Sequence, residues 1–437
     1  MNIYEINCPQ KKEARNFFEV DDRIGAKGFQ EAPTLTELLE RDKQRNEMVS
    51  KFNIENTLQA EMAFAAIGRT ENPALKSAYL KAWNFERLSY DDGLLLLRQG
   101  ELNLLGALAT RVKKKFHPEN KASFLIDRNI NYTNVCRIGC DFCAFYRREG
   151  DSDAYVHTDE SIYQKISETI ALGGTSVLMQ GGVNPKLKIE YYENLFRGIK
   201  QRFKIHLHAL SIIEIEGIAQ VSRLTVPETL ERLKAAGLDS IPGAGAEILV
   251  DEIRLNQSPV KRHSKRWIAT MQEAHRANLP TTATMMFGAL ERDEHVIEHI
   301  CRIRDAQDET QGFYSFIMWT FQGENTELLE KNPELTTCSA VEYLKVVAIS
   351  RLMMDNIPNI QGSWVTMGPK IGQVSLHYGA NDMGSIMIEE NVVSAAGTAH
   401  TLTSESMIEL IRRSGFTPVQ RDVYYNIIAE FPQESDL

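Results

Sequence analysis

Short apolar or β-branched runs recur along residues 123–388, separated by helix-length stretches, and this alternation restricts the fold more than any other feature. The runs are SFLID (123–127), TSVLMQ (175–180), IHLHAL (205–210), LDSIPG (238–243), TTATMMFG (281–288) and FYSFIMW (313–319), with weaker ones at IQGSWV (360–365) and DMGSIMI (382–388). Strands alternating with helices predict parallel β/α units. Eight such units predict an α/β fold of the (β/α)8, TIM-like barrel kind, and six clear plus two weak strands also suit a partly open barrel. The loops that follow the strands are then the expected seat of any chemistry. No repeat of 20–50 residues interrupts this pattern, which excludes a solenoid.

The chain ahead of the first run reads as helix. Residues 1–75 are mostly polar and helix-prone, with a break at Thr70–Pro73, and are expected to form an N-terminal extension. Residues 76–122 predict a helical prelude, with Ser89 placed as an N-cap. Residues 123–437 are assigned to the barrel and its C-terminal region. A formal net charge of -10 lacks the basic stripe of a nucleic-acid partner and favours a small-molecule one. No apolar run approaches the length of a membrane helix, and MNIYEINCPQKKEARNF lacks the apolar region of a signal peptide, so the expectation is a cytoplasmic protein without membrane insertion.

Six cysteines in such a chain suggest metal or redox chemistry rather than a disulfide framework. Cys136, Cys140 and Cys143 form a C-x3-C-x2-C run just after the first strand. Thiolates are soft ligands for zinc or iron–sulfur clusters, and three of them on one loop match three corners of a cubane. A structural zinc site wants four closed ligands, whereas Cys8, Cys301 and Cys338 are distant in sequence. Three thiolates leave one iron of a [4Fe–4S] cluster open, as cleavage of S-adenosylmethionine (SAM) requires. A zinc-holding scaffold without catalysis is the alternative of another class.

The loop CDFCAFYR (140–147) resembles the cluster loop of radical SAM enzymes. From about residue 76 onward the chain is similar to the radical SAM enzymes of the futalosine route to menaquinone, most of all the dehypoxanthine futalosine cyclases. The segments that carry this are HLHALS (206–211), AGLDSIPGAGAEILVDEIR (236–254), TTATMMFG (281–288), 302–326 and 372–398. Aminofutalosine synthases and the deazaflavin-precursor synthase subunit share the cluster loop. They differ around Trp319–Gln322, Asn325–Thr326, 379–384 and 389–391.

The resemblance implies ring closure of dehypoxanthine futalosine to its cyclic form. A 5′-deoxyadenosyl radical takes a hydrogen from ribose C4′, and the carbon radical then adds to the benzoate ring. The implied partners are this small-molecule substrate and a low-potential electron donor such as flavodoxin or ferredoxin. The implied cluster ligands are Cys136, Cys140 and Cys143, with Phe142 and Tyr146 near the adenine. Gln180, Gly181 and Gly182 follow the second strand, where the family's glycine pair meets the SAM amino group; a tight turn is the structural alternative. His206 and His208 alternate onto one face of the third strand, as ribose or SAM contacts or as satisfied barrel histidines. Glu247 resembles a SAM-ribose contact of the family. Trp319, Gln322 and Asn325 follow the sixth strand as a benzoate wall with amide donors, or as core packing. Asn381 and Asp382 lie in the last β/α region, with Asp382 a candidate to receive the proton lost on rearomatisation. Three positions depart from the family pattern, namely Met318, Gly323–Glu324 and Met367, the last standing where a glutamine is expected.

Overall fold

The computed structural model of the protein describes residues 59–258, 263–398 and 400–432. Residues 1–58, most of the extension expected over 1–75, lie outside the described residues. From 60 to 69 the chain is helical, and Ala63 and Ile67 are buried. Packed chain thus begins ahead of residue 75.

Local chemistry sets the helical prelude. The Asn72 side chain accepts the N–H groups of Ala74 and Leu75 (3.0 and 3.3 Å), and Pro73 occupies the first turn, so Pro73–Trp83 starts there. Ser89 and Asp92 form a reciprocal capping box that starts Tyr90–Gln99. Leu102–Phe116 completes the prelude and buries Leu105, Leu108 and Ala109.

Ten strands follow among the described residues: β1 (Lys121–Leu125), β2 (Asn129–Ile130), β3 (Ser176–Met179), β4 (His206–Ala209), β5 (Thr281–Phe287), β6 (Phe313–Thr320), β7 (Asn359–Gln361), β8 (Asp382–Ser385), β9 (Thr417–Arg421) and β10 (Ile427–Glu430). Continuous ladders give two sheets, ordered β10-β9-β1-β8-β7-β6-β5 and β2-β3-β4. Every pairing is parallel except β9 with β10. Two seams join the sheets. On one side, single bridges tie His208 to Ser240 and Ile241 to Thr281, so the expected fourth strand at 238–243 is present only as a two-residue link. Pro242 and Gly243 cut it short, since proline cannot donate to a ladder. On the other side, residues 121–130 reach both neighbours. Leu125 and Asp127 carbonyls accept from Ile386 and Ile388 (3.0 and 3.2 Å), while the Arg128 carbonyl accepts from Leu178 (3.0 Å). The architecture is a (β/α)8 barrel with a thin wall at its fourth position.

The expected runs at 360–365 and 382–388 are strands only over β7 and β8; Trp364–Met367 is a short helix. β9 and β10 answer to no expected run. β9 lies parallel to β1, pairing Lys121 with Thr417 through Phe124 with Gln420, and delivers Arg421 to the barrel interior. There Asp382, fully buried, accepts from Arg421 Nε and Nη2 (2.6 and 2.8 Å), from Ser123 Oγ (2.5 Å) and from its neighbour Gly384 N–H (2.8 Å). One carboxylate therefore ties β8, β1 and β9 together.

Removing one member of such a pair strands the other in a low-dielectric interior, which costs about 3–5 kcal/mol. Asp382→Ala is expected to lower unfolding stability by about that much, and Asp382→Ala with Arg421→Met to recover part of it. Denaturant unfolding of the three proteins checks this, and an unchanged midpoint for Asp382→Ala refutes it.

Candidate active site

The three cysteines sit where the chain leaves β2. Val135 bridges to Arg147, the Cys136 N–H donates to the Arg147 carbonyl (2.9 Å), and the Arg147 N–H donates to the Asn134 carbonyl (2.8 Å), closing residues 136–147 into a loop. Arg147 Nη1 also gathers the carbonyls of Ala144, Phe145 and Tyr146 (3.1, 3.3 and 2.9 Å). Gly139 takes a φ of 61° and turns the loop between the first two cysteines. The loop is held from outside as well, since Asp141 donates its N–H to the Gln257 carbonyl (3.0 Å) and accepts the Leu328 N–H (2.8 Å). All three thiols are half-buried.

Among the described residues no three His, Cys, Asp or Glu side chains gather as a single metal ion requires. A cubane is held differently, each thiolate taking its own iron, so the donor set of Cys136, Cys140 and Cys143 fits a [4Fe–4S] cluster and not a four-ligand zinc site. Cys338 is buried with its thiol pushed up to about 12 by desolvation, and burial also raises the half-buried Cys301, as for ordinary core thiols. Cys8 lies outside the described residues.

Beside this loop the barrel encloses a cavity of about 360 Å3, within the range of about 300–1,000 Å3 usual for small-molecule sites. Its apolar wall includes Phe142, Trp319, Ile317, Trp364, Met383 and Val393. Polar groups line the rest, among them Asp127, Gln180, His208, Glu247, Tyr314 and Glu390. A register irregularity between β5 and β6 at Thr281/Thr282 lets both Tyr314 and Ser315 face it.

Of the residues singled out in the sequence, Phe142, Gln180, His208, Glu247 and Trp319 line this cavity. His206 and His208 share the buried Ser240 hydroxyl (2.7 Å each). Burial lowers His208 to about 3 and His206 to about 4, so both stay neutral at ordinary pH. The glycine pair has a reason other than ligand approach. A Cβ on Gly182 would run into the Val135 carbonyl and the Cys136 Cβ, and one on Gly181 into Tyr132 and the Thr133 carbonyl. These glycines let the β3 loop pack backbone-to-backbone against the cysteine loop. The Gly181 N–H and the Tyr132 hydroxyl both donate to the buried Glu214 carboxylate (2.9 and 2.7 Å).

Four of the residues singled out in the sequence do not line this cavity. Asp382 does not face the cavity, and both of its oxygens are committed to Arg421, Ser123 and Gly384. Gln322 turns back on its own strand end, donating to Thr320 O and Oγ1 (3.2 Å each) and accepting from Thr398 (3.2 Å). Asn325, at a φ of 60°, donates to the Ala395 carbonyl (3.0 Å) and ties that loop to its own. The Tyr146 hydroxyl donates to Glu327 (2.7 Å) outside the cavity wall. The departures fall outside it too: Met318 is fully buried core, and Met367 accepts from Thr320 Oγ1 (3.3 Å) and lines a separate surface groove. Sequence reading missed Asp127, Tyr314, Arg421 and Tyr425. Asp127 closes the SFLID run at a strand end, a signal that was available, whereas nothing in RDVYY (421–425) marks an interior position.

Residues 130–302 match the radical SAM superfamily, and residues 310–434 match the family described as CofH/MqnC C-terminal region. The cyclic dehypoxanthine futalosine synthase of Halalkalibacterium halodurans is 51% identical over 352 residues, covering 80% of this chain and 94% of that one. The aminodeoxyfutalosine synthase of Thermus thermophilus is 35% identical over 357 residues, covering 81% and 96%. In fold, the FeFe-hydrogenase maturase HydG from Carboxydothermus hydrogenoformans aligns with a TM-score of 0.63 at 15% identity over 85% of this chain and 86% of that one. No helix among the described residues is long and apolar enough to cross a membrane. With a cysteine loop, a barrel cavity beside it and relatives matched over four-fifths of its length, the chain belongs to the radical SAM superfamily, in the family that includes the futalosine synthases.

Proposed function

We propose that this enzyme closes dehypoxanthine futalosine to cyclic dehypoxanthine futalosine, a step of menaquinone biosynthesis. The observation that carries this reading is the 51% identity to a synthase of that name, against 35% to an aminodeoxyfutalosine synthase over a similar length. Family members work with a [4Fe–4S] cluster and SAM, which together supply a 5′-deoxyadenosyl radical able to take hydrogen from ribose C4′.

The protein's own part is binding, orientation and exclusion of water. Cys136, Cys140 and Cys143 would hold the cluster. Gln180 and Glu247, on the loops after β3 and after the fourth barrel position, offer amide and carboxylate contacts at the cavity edge near the cysteine loop. Neutral His208 offers a hydrogen-bonding ring nitrogen without adding a positive charge. Phe142 and Trp319 pack on one apolar cluster with Met286, Phe321 and Leu328, forming a rigid wall for an aromatic ring. A cytoplasmic flavodoxin or ferredoxin is the fitting electron donor, because one low-potential electron would have to reach the cluster for SAM to be cleaved.

Anaerobically reconstituted protein is expected to convert dehypoxanthine futalosine and SAM, with a low-potential reductant, into the cyclic product and 5′-deoxyadenosine. Deuterium placed at ribose C4′ should appear in the 5′-deoxyadenosine, and label retained in the product refutes the reading. Cys136→Ala is expected to lose the iron and sulfide of the reconstituted protein together with SAM cleavage. Trp319→Ala is expected to slow cyclisation about 100-fold while SAM binding changes little, because small misplacements of a reacting ring are that costly. Equal losses of binding and rate would instead mark Trp319 as core packing.

A further inference from the structure

Joining a ribose carbon to a benzoate ring leaves a hydrogen on the ring carbon that was attacked, and aromaticity returns only when that hydrogen leaves as a proton. A base facing the cavity must receive it. The cavity wall holds three carboxylates and one imidazole: Asp127, Glu247, Glu390 and His208.

Three of these are otherwise engaged. Glu390 is spent on backbone, its oxygens accepting the N–H groups of Val392, Val393 and Ser394 (3.0, 2.8 and 3.0 Å). Glu247 lies 3.9 Å from the buried Arg254 guanidinium, which engages its carboxylate. His208 has its Nδ1 on Ser240 and, through burial, a proton affinity too low to compete. Asp127 is different. Ser385 Oγ accepts the Met387 N–H (2.8 Å), which turns its own proton toward Asp127 Oδ1. That bond orients the carboxyl through Oδ1 and does not involve Oδ2. Asp127 also sits between β1 and β2, nine residues ahead of Cys136.

From this geometry we propose that Asp127 is the catalytic base that takes the ring proton in the last step of cyclisation. The proposal rests on the substrate reading above. In the step, the ring C–H bond breaks, the proton goes to Asp127 Oδ2, and the bonding pair stays to rebuild the aromatic sextet. The unpaired electron of the adduct leaves to a one-electron acceptor of the iron–sulfur class. Burial raises the Asp127 carboxyl to about 6, with the Arg421 charge pulling it back. The other charged or titratable groups facing the same space are Glu247, Glu390, His208, Tyr314, Tyr425 and Arg421, the last held by Asp382. An acid with its value raised to about 6 is mostly carboxylate at pH 7, so base strength and availability coincide. Product formation should therefore rise as pH increases through about 6 and level off above it.

The test compares wild type, Asp127→Asn and Asp127→Glu as reconstituted enzymes with C4′-deuterated substrate. Asp127→Asn keeps an acceptor for Ser385, so it should bind SAM and still pass deuterium into 5′-deoxyadenosine. Cyclised product should fall about 100-fold or more, the limb near pH 6 should vanish, and a primary isotope effect should appear with substrate deuterated at the ring position. Asp127→Glu should restore part of the rate with a displaced limb. An infrared titration of the metal-free proteins gives an independent reading: a carboxyl titrating near pH 6 in wild type should be missing in Asp127→Asn. Undiminished product with the same pH limb in Asp127→Asn overturns the proposal, and so does loss of deuterium transfer, which marks Asp127 as structural. If wild type itself moves no C4′ label, the substrate reading fails first and this step falls with it.

Discussion

The buried Asp382 carboxylate is the point on which the barrel interior depends. Its two oxygens collect donors from β1, β8 and β9, so one group settles how three strands lie together. Without it the Arg421 guanidinium, stacked 3.8 Å over the Tyr425 ring, would stand as an unbalanced charge in the cavity wall. Buried ion pairs often add little net stability over apolar packing, and fixing one arrangement among several is their better-attested use. Here the arrangement fixed is the insertion of a C-terminal strand beside β1, which brings Val423 and Tyr425 into the cavity.

Burial governs the titratable groups in and beside the cavity that results. Burial keeps His206 and His208 neutral, raises the Asp127 and Glu390 carboxyls, and pushes the Tyr314 and Tyr425 phenols up. Each shift has the same origin, the cost of holding a charge away from water. Such surroundings suit chemistry on a carbon radical, where stray proton donors and mobile water would divert the intermediate.

Much of this was legible in the sequence, and the failures have a common cause. Periodicity and turn residues located β1, β3, β4, β5 and β6, because a strand buried by helices on its outer face must be apolar. The cysteine spacing identified its loop because the donor atoms are contiguous in sequence. Gln180, His208, Glu247 and Trp319 lie at or just past strand ends, where the barrel itself predicts ligand contacts, and Phe142 lies in the cysteine loop. Asp382 also lies near a strand end yet does not line the cavity, because residue type does not reveal that an arginine 39 positions later bonds both its oxygens. Gln322 and Asn325 went the same way, claimed by local backbone. β9 passed unnoticed, since TPVQR has one core valine and owes its place to pairing with β1 rather than to its own pattern.

The order in which these partners leave the ribosome has a cost of its own. Asp382 is made 39 residues ahead of Arg421, an interval of a few seconds at a translation rate of about 5–20 residues per second. During that interval β1 has an open edge where β9 will dock, and the interior carboxylate has no cation to meet it. The nascent barrel therefore carries an exposed strand edge and an unbalanced acid until the arginine arrives, the state in which a chaperone has most to offer and in which strand-edge association with another chain is the main hazard.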